Sequence, residues 1–241
     1  MAPDLRELSP RAVDCLKLVY KLSERGERVT TSAMRERLAA LEPGGQLSDA
    51  SVTQLFKWLG EHDYLRHTPY HGVELTEAGE RLALEMTRHH RLLELFLTQI
   101  MGYSWDMVDA EAERLEHVIS EEFEERMDAL LGYPTVDPHG DPIPSKSGMV
   151  TIPATLPLSE LGPGDEGIVL RVNDDNAEQL RYLASLGIGP GTPVHVMDRD
   201  PFGGPLWLRV GPDVTAAPRA VGPQLAACIR VGRAEHALAG N

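Results

Sequence analysis

Ser48-Asp49-Ala50-Ser51-Val52-Thr53-Gln54-Leu55-Phe56-Lys57-Trp58-Leu59 is the stretch on which the fold turns. Ser48 offers an N-cap oxygen, and Val52, Leu55, Phe56 and Leu59 fall on one helical face. Upstream, Thr30-Thr31-Ser32 caps a short helix through about Leu41, and Pro43-Gly44-Gly45 breaks it. Further upstream, Ser9-Pro10 opens a helix carrying Val13, Leu16, Val19, Tyr20 and Leu22 as far as Gly26. Downstream, Tyr64 to Thr68 and Val73 to Leu75 read as two short strands joined by Pro69-Tyr70-His71-Gly72. Helix, helix, helix, hairpin is the order of a winged helix-turn-helix. Ser51, Thr53, Gln54 and Lys57 lie opposite the buried stripe, where polar side chains can meet phosphates and base edges, although any surface helix is polar there.

Beyond the hairpin, Thr76-Glu77 opens a long helix with Leu82, Met86, Leu93, Phe96, Leu97 and Ile100 on one face, ending at Gly102. A second long helix is expected from Ser104 or Asp106 to Gly132, carrying Val108, Ala112, Leu115, Ile119, Phe123, Met127 and Leu130. This antiparallel pair has more apolar surface than one small bundle buries, which points to a homodimer. Tyr133 to Gly148 is rich in Pro and Gly and reads as a linker of limited flexibility. Gly167 to Val172, Thr192 to Met197, Leu206 to Val210 and Ala227 to Val231 then alternate as in a small β-barrel, with one helix at Ala177 to Ser185. The expected fold is mainly α with small β, in three domains: 1–75, 76–147 and 148–241.

The 241 residues carry a net charge of −14, which on its face opposes a nucleic-acid partner. The distribution removes the objection. Residues 1–75 hold 10 basic against 11 acidic side chains, whereas residues 76–147 hold 6 against 16. Arg28, Arg35, Arg37, Lys57 and Arg66 remain for phosphates. No apolar run approaches a membrane span, the N-terminus lacks the pattern of a signal peptide, and the two cysteines form no thiol motif. A cytoplasmic protein without membrane association is the expectation.

The chemistry lies in the acidic middle. Asp109, Glu113, Glu116 and His117 stand at i, i+4, i+7 and i+8, and His90 and Glu94 at i and i+4 on the preceding helix. Stacked carboxylates repel unless a cation joins them, and oxygen and imidazole donors without a thiolate suit Mn²⁺ or Fe²⁺. A solvated glutamate-rich face is the other reading of the same residues. His89 reads as an exposed or capping histidine. Paired Glu-x-x-His, His-Glu-x-x-His and Cys-x-x-Cys motifs, a P-loop and a Gly-x-Ser-x-Gly elbow do not occur, so nothing argues for an enzyme or a small organic substrate.

Three strings, Arg88-His89-His90-Arg91-Leu92-Leu93-Glu94, Glu111-Ala112-Glu113-Arg114-Leu115-Glu116-His117-Val118 and Pro138-His139-Gly140-Asp141-Pro142-Ile143-Pro144, resemble those of the diphtheria toxin repressor and manganese transport regulator family. Leu180 to Ile188 and Pro201 to Leu206 are similar to the SH3-like, FeoA-type domain of its longer members. The resemblance implies a metal-dependent regulator that binds a palindromic double-stranded DNA operator as a homodimer, through Ser48, Ser51, Thr53, Gln54, Lys57 and Arg37. It implies a primary site of Asp14, Glu113, Glu116 and His117, and an ancillary site of His90, Glu94 and Asp109 completed by Gln179 and Glu178. Hard oxygen donors at Asp14 and Glu113 replace the methionine and cysteine of iron-responsive relatives, favouring Mn²⁺, with Fe²⁺ the alternative. Manganese regulators with a closely spaced ion pair carry a second acid where this chain has Lys17, and the stretch from Ala39 to Leu47 is longer than the usual turn. A metal-sensing interaction protein that does not bind DNA is the rival from another class.

Overall fold

The structure, a computed structural model, describes residues 8–41, 47–68, 72–173 and 176–233. The proposed break at Pro43-Gly44-Gly45 and most of the hairpin turn lie outside these residues. The chain divides into two compact units. The first comprises 1–93, 112–129 and 143–150, and the second 94–111, 130–142 and 151–241.

In the first unit, α1 (Pro10–Glu24) begins where the Ser9 side chain accepts from the Ala12 amide, with proline in the first turn. α2 (Thr31–Leu41) and α3 (Asp49–Glu61) follow, the latter capped by Ser48 through the Ser51 amide. β1 (Leu65–Thr68) and β2 (Gly72–Leu75) pair antiparallel with Leu65 opposite Leu75. Gly72 has φ +95°, and a Cβ there would run into the Val29 carbonyl, so only glycine fits this close approach. Leu16, Leu22, Met34, Val52, Leu59, Leu65 and Leu82 form the core. Full burial of each such side chain stabilises by about 1.5–3 kcal/mol.

α4 (Glu77–Gln99) is the long helix that the spacing predicts. The second long helix is not formed: α5 (Val108–Leu115) and α6 (Glu121–Leu130) are separate. Val118 and Ile119 disfavour continuation, and Ser120 restarts the helix by accepting from the Phe123 amide at 3.2 Å, with Glu121, Glu122 and Glu124 in the first turn. His89 is also corrected, being 4 % exposed rather than a surface or capping group.

The second unit is built on a six-stranded antiparallel sheet in the order β3-β8-β4-β5-β6-β7. Its strands are β3 (Leu156–Pro157), β4 (Glu166–Val172), β5 (Pro193–Arg199), β6 (Leu206–Val210), β7 (Arg219–Val221) and β8 (Ile229–Arg233). Alternate residues Val169, Val194, Val196, Leu206, Leu208 and Val231 point into its core with Leu180 and Leu183 of α7 (Ala177–Leu186). A short α8 (Pro223–Ala227) precedes β8.

The segment read as a linker is packed structure. Asp137, His139 and Asp141 are all buried. The His139 carbonyl accepts from the Val172 amide at 2.9 Å, and Asp141 pairs with Arg171 at 2.6 Å. Gly140 has φ +90°, and a Cβ there would collide with the Leu170 carbonyl, which is why the segment can lie flat against β4.

Candidate metal centre

Within the first unit, α1 contributes Asp14 and Lys17, α4 contributes His90, and α5 contributes Glu113. The sequence reading puts Glu116 and His117 on a helix. They instead occupy the turn after α5, where the Glu116 amide donates to Ala112 and the Val118 amide to Leu115. Ending the helix at Leu115 turns both side chains toward α1. His117 Nε2 lies 2.7 Å from Asp14 Oδ1 and 3.7 Å from Glu116 Oε1. His90 Nδ1 lies 2.5 Å from Glu116 Oε2 and 3.6 Å from Glu113 Oε2. The structure thus brings all four primary-site residues together with His90, and adds Lys17. The Lys17 ammonium stands 2.7 Å from Glu113 Oε2 and 2.5 Å from Glu116 Oε1.

Burial and charge set the protonation. Burial works against the Lys17 ammonium but is outweighed by the Glu116 and Glu113 carboxylates, which hold it above its ordinary value. Burial raises the Glu113 carboxyl, and Lys17 offsets that only in part. Glu116 is more deeply buried, yet Lys17 and His90 together hold it below the ordinary range. The Asp14 carboxylate, against the opposition of burial, raises His117.

These donors fit a divalent ion. Glu113 Oε1 is a buried oxygen without an aligned hydrogen-bond donor, a costly condition that a cation removes, whereas Asp14 Oδ1 is paired with the His117 imidazole. Asp14, Glu116 and His117 can each turn a ligand atom to within 4.8 Å of the others, as can His90, Glu113 and Glu116. A cavity of about 310 Å³, lined in part by Glu116, His117, Val13 and Glu121, gives the cluster an approach path.

The residues expected at the ancillary site are divided: His90 belongs to the first unit, and Glu94, Asp109, Glu178 and Gln179 to the second. Glu178 and Gln179 open α7, where their amides donate to the Asn176 side chain. Within the second unit Glu94 gathers with Asp137 and His139, all three buried with ligand atoms within 4.8 Å of one another. His139 Nδ1 is 3.7 Å from Glu94 Oε1, and its Nε2 is 2.7 Å from the Trp105 carbonyl, against whose ring it stacks. Sequence reasoning missed Asp137 and His139 because they sit in a proline-rich stretch. The available signal was Asp137 ahead of Pro138 and Gly140, a turn composition in which the Asp137 side chain accepts from the His139 and Asp141 amides.

Ser51, Thr53, Gln54 and Lys57 form the exposed face of α3, while Val52 and Leu59 are buried beneath. Ser48 is exposed at its cap, and Arg37 pairs with Glu27 at 3.1 Å on α2.

Two family models match this chain: the iron dependent repressor metal-binding and dimerisation domain over residues 76–145, and the FeoA domain over residues 156–233. The chain is 34 % identical over 184 residues to the iron-dependent repressor IdeR of Mycobacterium tuberculosis (strain ATCC 25618 / H37Rv), covering 76 % of this chain and 68 % of that one. It is 32 % identical over 194 residues to the diphtheria toxin repressor of Corynebacterium efficiens, covering 76 % and 81 %. A solved manganese-dependent transcriptional repressor in complex with manganese superposes with a TM-score of 0.81 at 36 % identity, over 92 % of this chain and 99 % of that one. These relatives are repressors rather than enzymes, and among the described residues no helix is long and apolar enough to cross a membrane. On these matches the chain belongs to the diphtheria toxin repressor and manganese transport regulator family and is a metal-dependent transcriptional repressor.

Proposed function

We propose that the chain is a manganese-dependent repressor of metal-homeostasis genes that binds a palindromic operator as a homodimer. The observation that carries this reading is the meeting of Asp14, from the helix that leads into α2 and α3, with Glu113, Glu116 and His117, from the distant α5 region. When bound, a divalent ion supplies the positive charge that holds these carboxylates together. Asp14 is the residue that ties α1, and with it the helix-turn-helix, to that charge. In the winged helix-turn-helix reading, α3 enters the major groove through Ser48, Ser51, Thr53, Gln54 and Lys57, with Arg37 on a phosphate. A dimer presents two such helices about 34 Å apart, one turn of DNA. The second-unit sheet is read as the SH3-like FeoA-type domain, and His90, Glu94 and Asp109 with Glu178 and Gln179 as the ancillary ligands.

The all oxygen-and-imidazole donor set supports Mn²⁺. The iron-dependent relatives support Fe²⁺ as the second reading. Fluorescence anisotropy of a duplex selected from random sequence, titrated with the full chain under graded Mn²⁺, Fe²⁺ (anaerobic), Zn²⁺ and Mg²⁺, tests both. Tight binding only with Mn²⁺ supports the proposal, an equal response to Fe²⁺ supports the second reading, and binding indifferent to metal overturns both.

A further inference from the structure

The metal centre contains two overlapping ligand sets. Asp14, Glu116 and His117 make the first, His90, Glu113 and Glu116 the second, and Glu116 belongs to both. A carboxylate shared in this way can bridge two neighbouring divalent ions. The chain, however, delivers a cation of its own to the second set. Lys17 is 8 % exposed, and its ammonium contacts Glu113 Oε2 at 2.7 Å and Glu116 Oε1 at 2.5 Å. A divalent ion would sit about 2.0–2.6 Å from such oxygens. An ammonium already in hydrogen-bond contact with both occupies that space and uses those lone pairs.

We propose that Lys17 is a tethered counter-ion that fills the second ligand set, so that the cluster accepts a single divalent ion on the Asp14 side. This rests on the metal reading above and specifies its stoichiometry. Charge balance argues the same way. The two sets contain three carboxylates, and one divalent ion plus one ammonium neutralises them with both histidines uncharged. A second divalent ion alongside Lys17 would leave surplus positive charge in a buried site, which is disfavoured. Lys17 belongs to α1, three residues after Asp14, so α1 sends both groups into the cluster, Lys17 onto Glu113 and Glu116 and Asp14 onto His117.

The test is Mn²⁺ binding by the metal-free full chain, read by electron paramagnetic resonance. The free-ion signal counts bound Mn²⁺, and low-temperature spectra detect the exchange coupling of two ions that share a carboxylate. Wild type is expected to bind Mn²⁺ without a coupled-pair signal. Lys17→Glu is expected to take up about one further Mn²⁺ per chain and to develop the coupled signal. Lys17→Met, which keeps the apolar stem and adds no charge, is expected to do so at higher Mn²⁺. Circular dichroism establishes which variants are folded, and either one suffices. A coupled pair in wild type, or no additional ion in a folded variant, overturns the proposal while leaving the metal reading intact. No Mn²⁺ uptake by wild type overturns both.

Discussion

His117 Nε2 lies 2.7 Å from Asp14 Oδ1, so the turn after α5 and the first helix meet through one imidazole and one carboxylate. Both groups are mostly buried. If this meeting point is where the ion is held, its two halves are equally required. Asp14→Ala and His117→Ala are each expected to weaken Mn²⁺ binding by at least about 100-fold. Metal-dependent operator binding should fall in parallel, measured by calorimetry and anisotropy on the same preparations. Undiminished metal-dependent affinity in both variants would remove this site from the mechanism.

On the proposed assignment, Glu113 is the place to change metal preference. Its Oε1 is buried without a donor and its Oε2 faces Lys17 and His90, so the side chain already points into the cluster. Glu113→Cys substitutes a soft thiolate for a hard oxygen and is expected to move the activation series toward Zn²⁺ and Fe²⁺. An unchanged order of metals in the anisotropy assay would contradict the assignment.

Much of this architecture is legible in the residues themselves, because local chemistry decides it. Ser9 and Ser48 cap the helices they precede, and the apolar spacing of α1, α3 and α4 corresponds to their buried faces. What is not legible depends on long-range packing. The apolar period from Val108 to Leu130 runs unbroken through Glu116 to Ser120, and only the restart at Ser120, with acids in the following turn, betrays two helices. The Pro138 to Pro144 stretch has the composition of a linker, yet the Gly140 backbone lets it lie against β4, and burial follows from that partner rather than from composition. At the candidate metal centre the carboxylates and imidazoles that meet can be read from the order of residues. The role of Lys17 cannot, since its partners stand 96 and 99 positions away.

Arg88 holds a different part of the first unit together. Its guanidinium donates to Glu124 Oε1 at 2.5 Å, Asp128 Oδ2 at 2.6 Å and the Pro144 carbonyl at 2.8 Å, and its side chain is 7 % exposed. Arg88→Ala strands two largely buried carboxylates and a carbonyl, so a loss of about 3–5 kcal/mol is expected in urea unfolding of the metal-free chain. Arg88→Lys should recover only part of it, since one ammonium cannot reproduce the fork.

In the DNA complex proposed above, Lys57 and Gln54 on the exposed face of α3 would make two kinds of contact that substitution separates. Lys57→Ala is expected to weaken operator and unrelated duplexes alike, and to lower the slope of log K against log salt by about 1. Gln54→Ala is expected to cost about 1–3 kcal/mol on the operator and far less on unrelated sequence. Identical losses on both duplexes for Gln54→Ala would assign it to the phosphate backbone instead.

His89 gives the metal-free chain a stability that depends on pH. Burial works against its charged form, but Glu124, whose Oε2 is 3.2 Å from Nε2, together with Glu121 and Glu85, raises the imidazole above its ordinary value. Because the folded value lies above the unfolded one, the contribution is fully present below about pH 6.5. It is lost as the pH rises through the raised folded value. Glu124 is held low, with burial overcome by His89 and Arg88, so its own contribution fades only on the acid side, as pH falls through its depressed value. Thermal melts of metal-free wild type and His89→Gln between about pH 5.5 and 8.5 should therefore converge toward the alkaline end, since the neutral imidazole no longer pairs with Glu124. A difference in Tm that stays constant across that range would mean that His89 acts by packing alone.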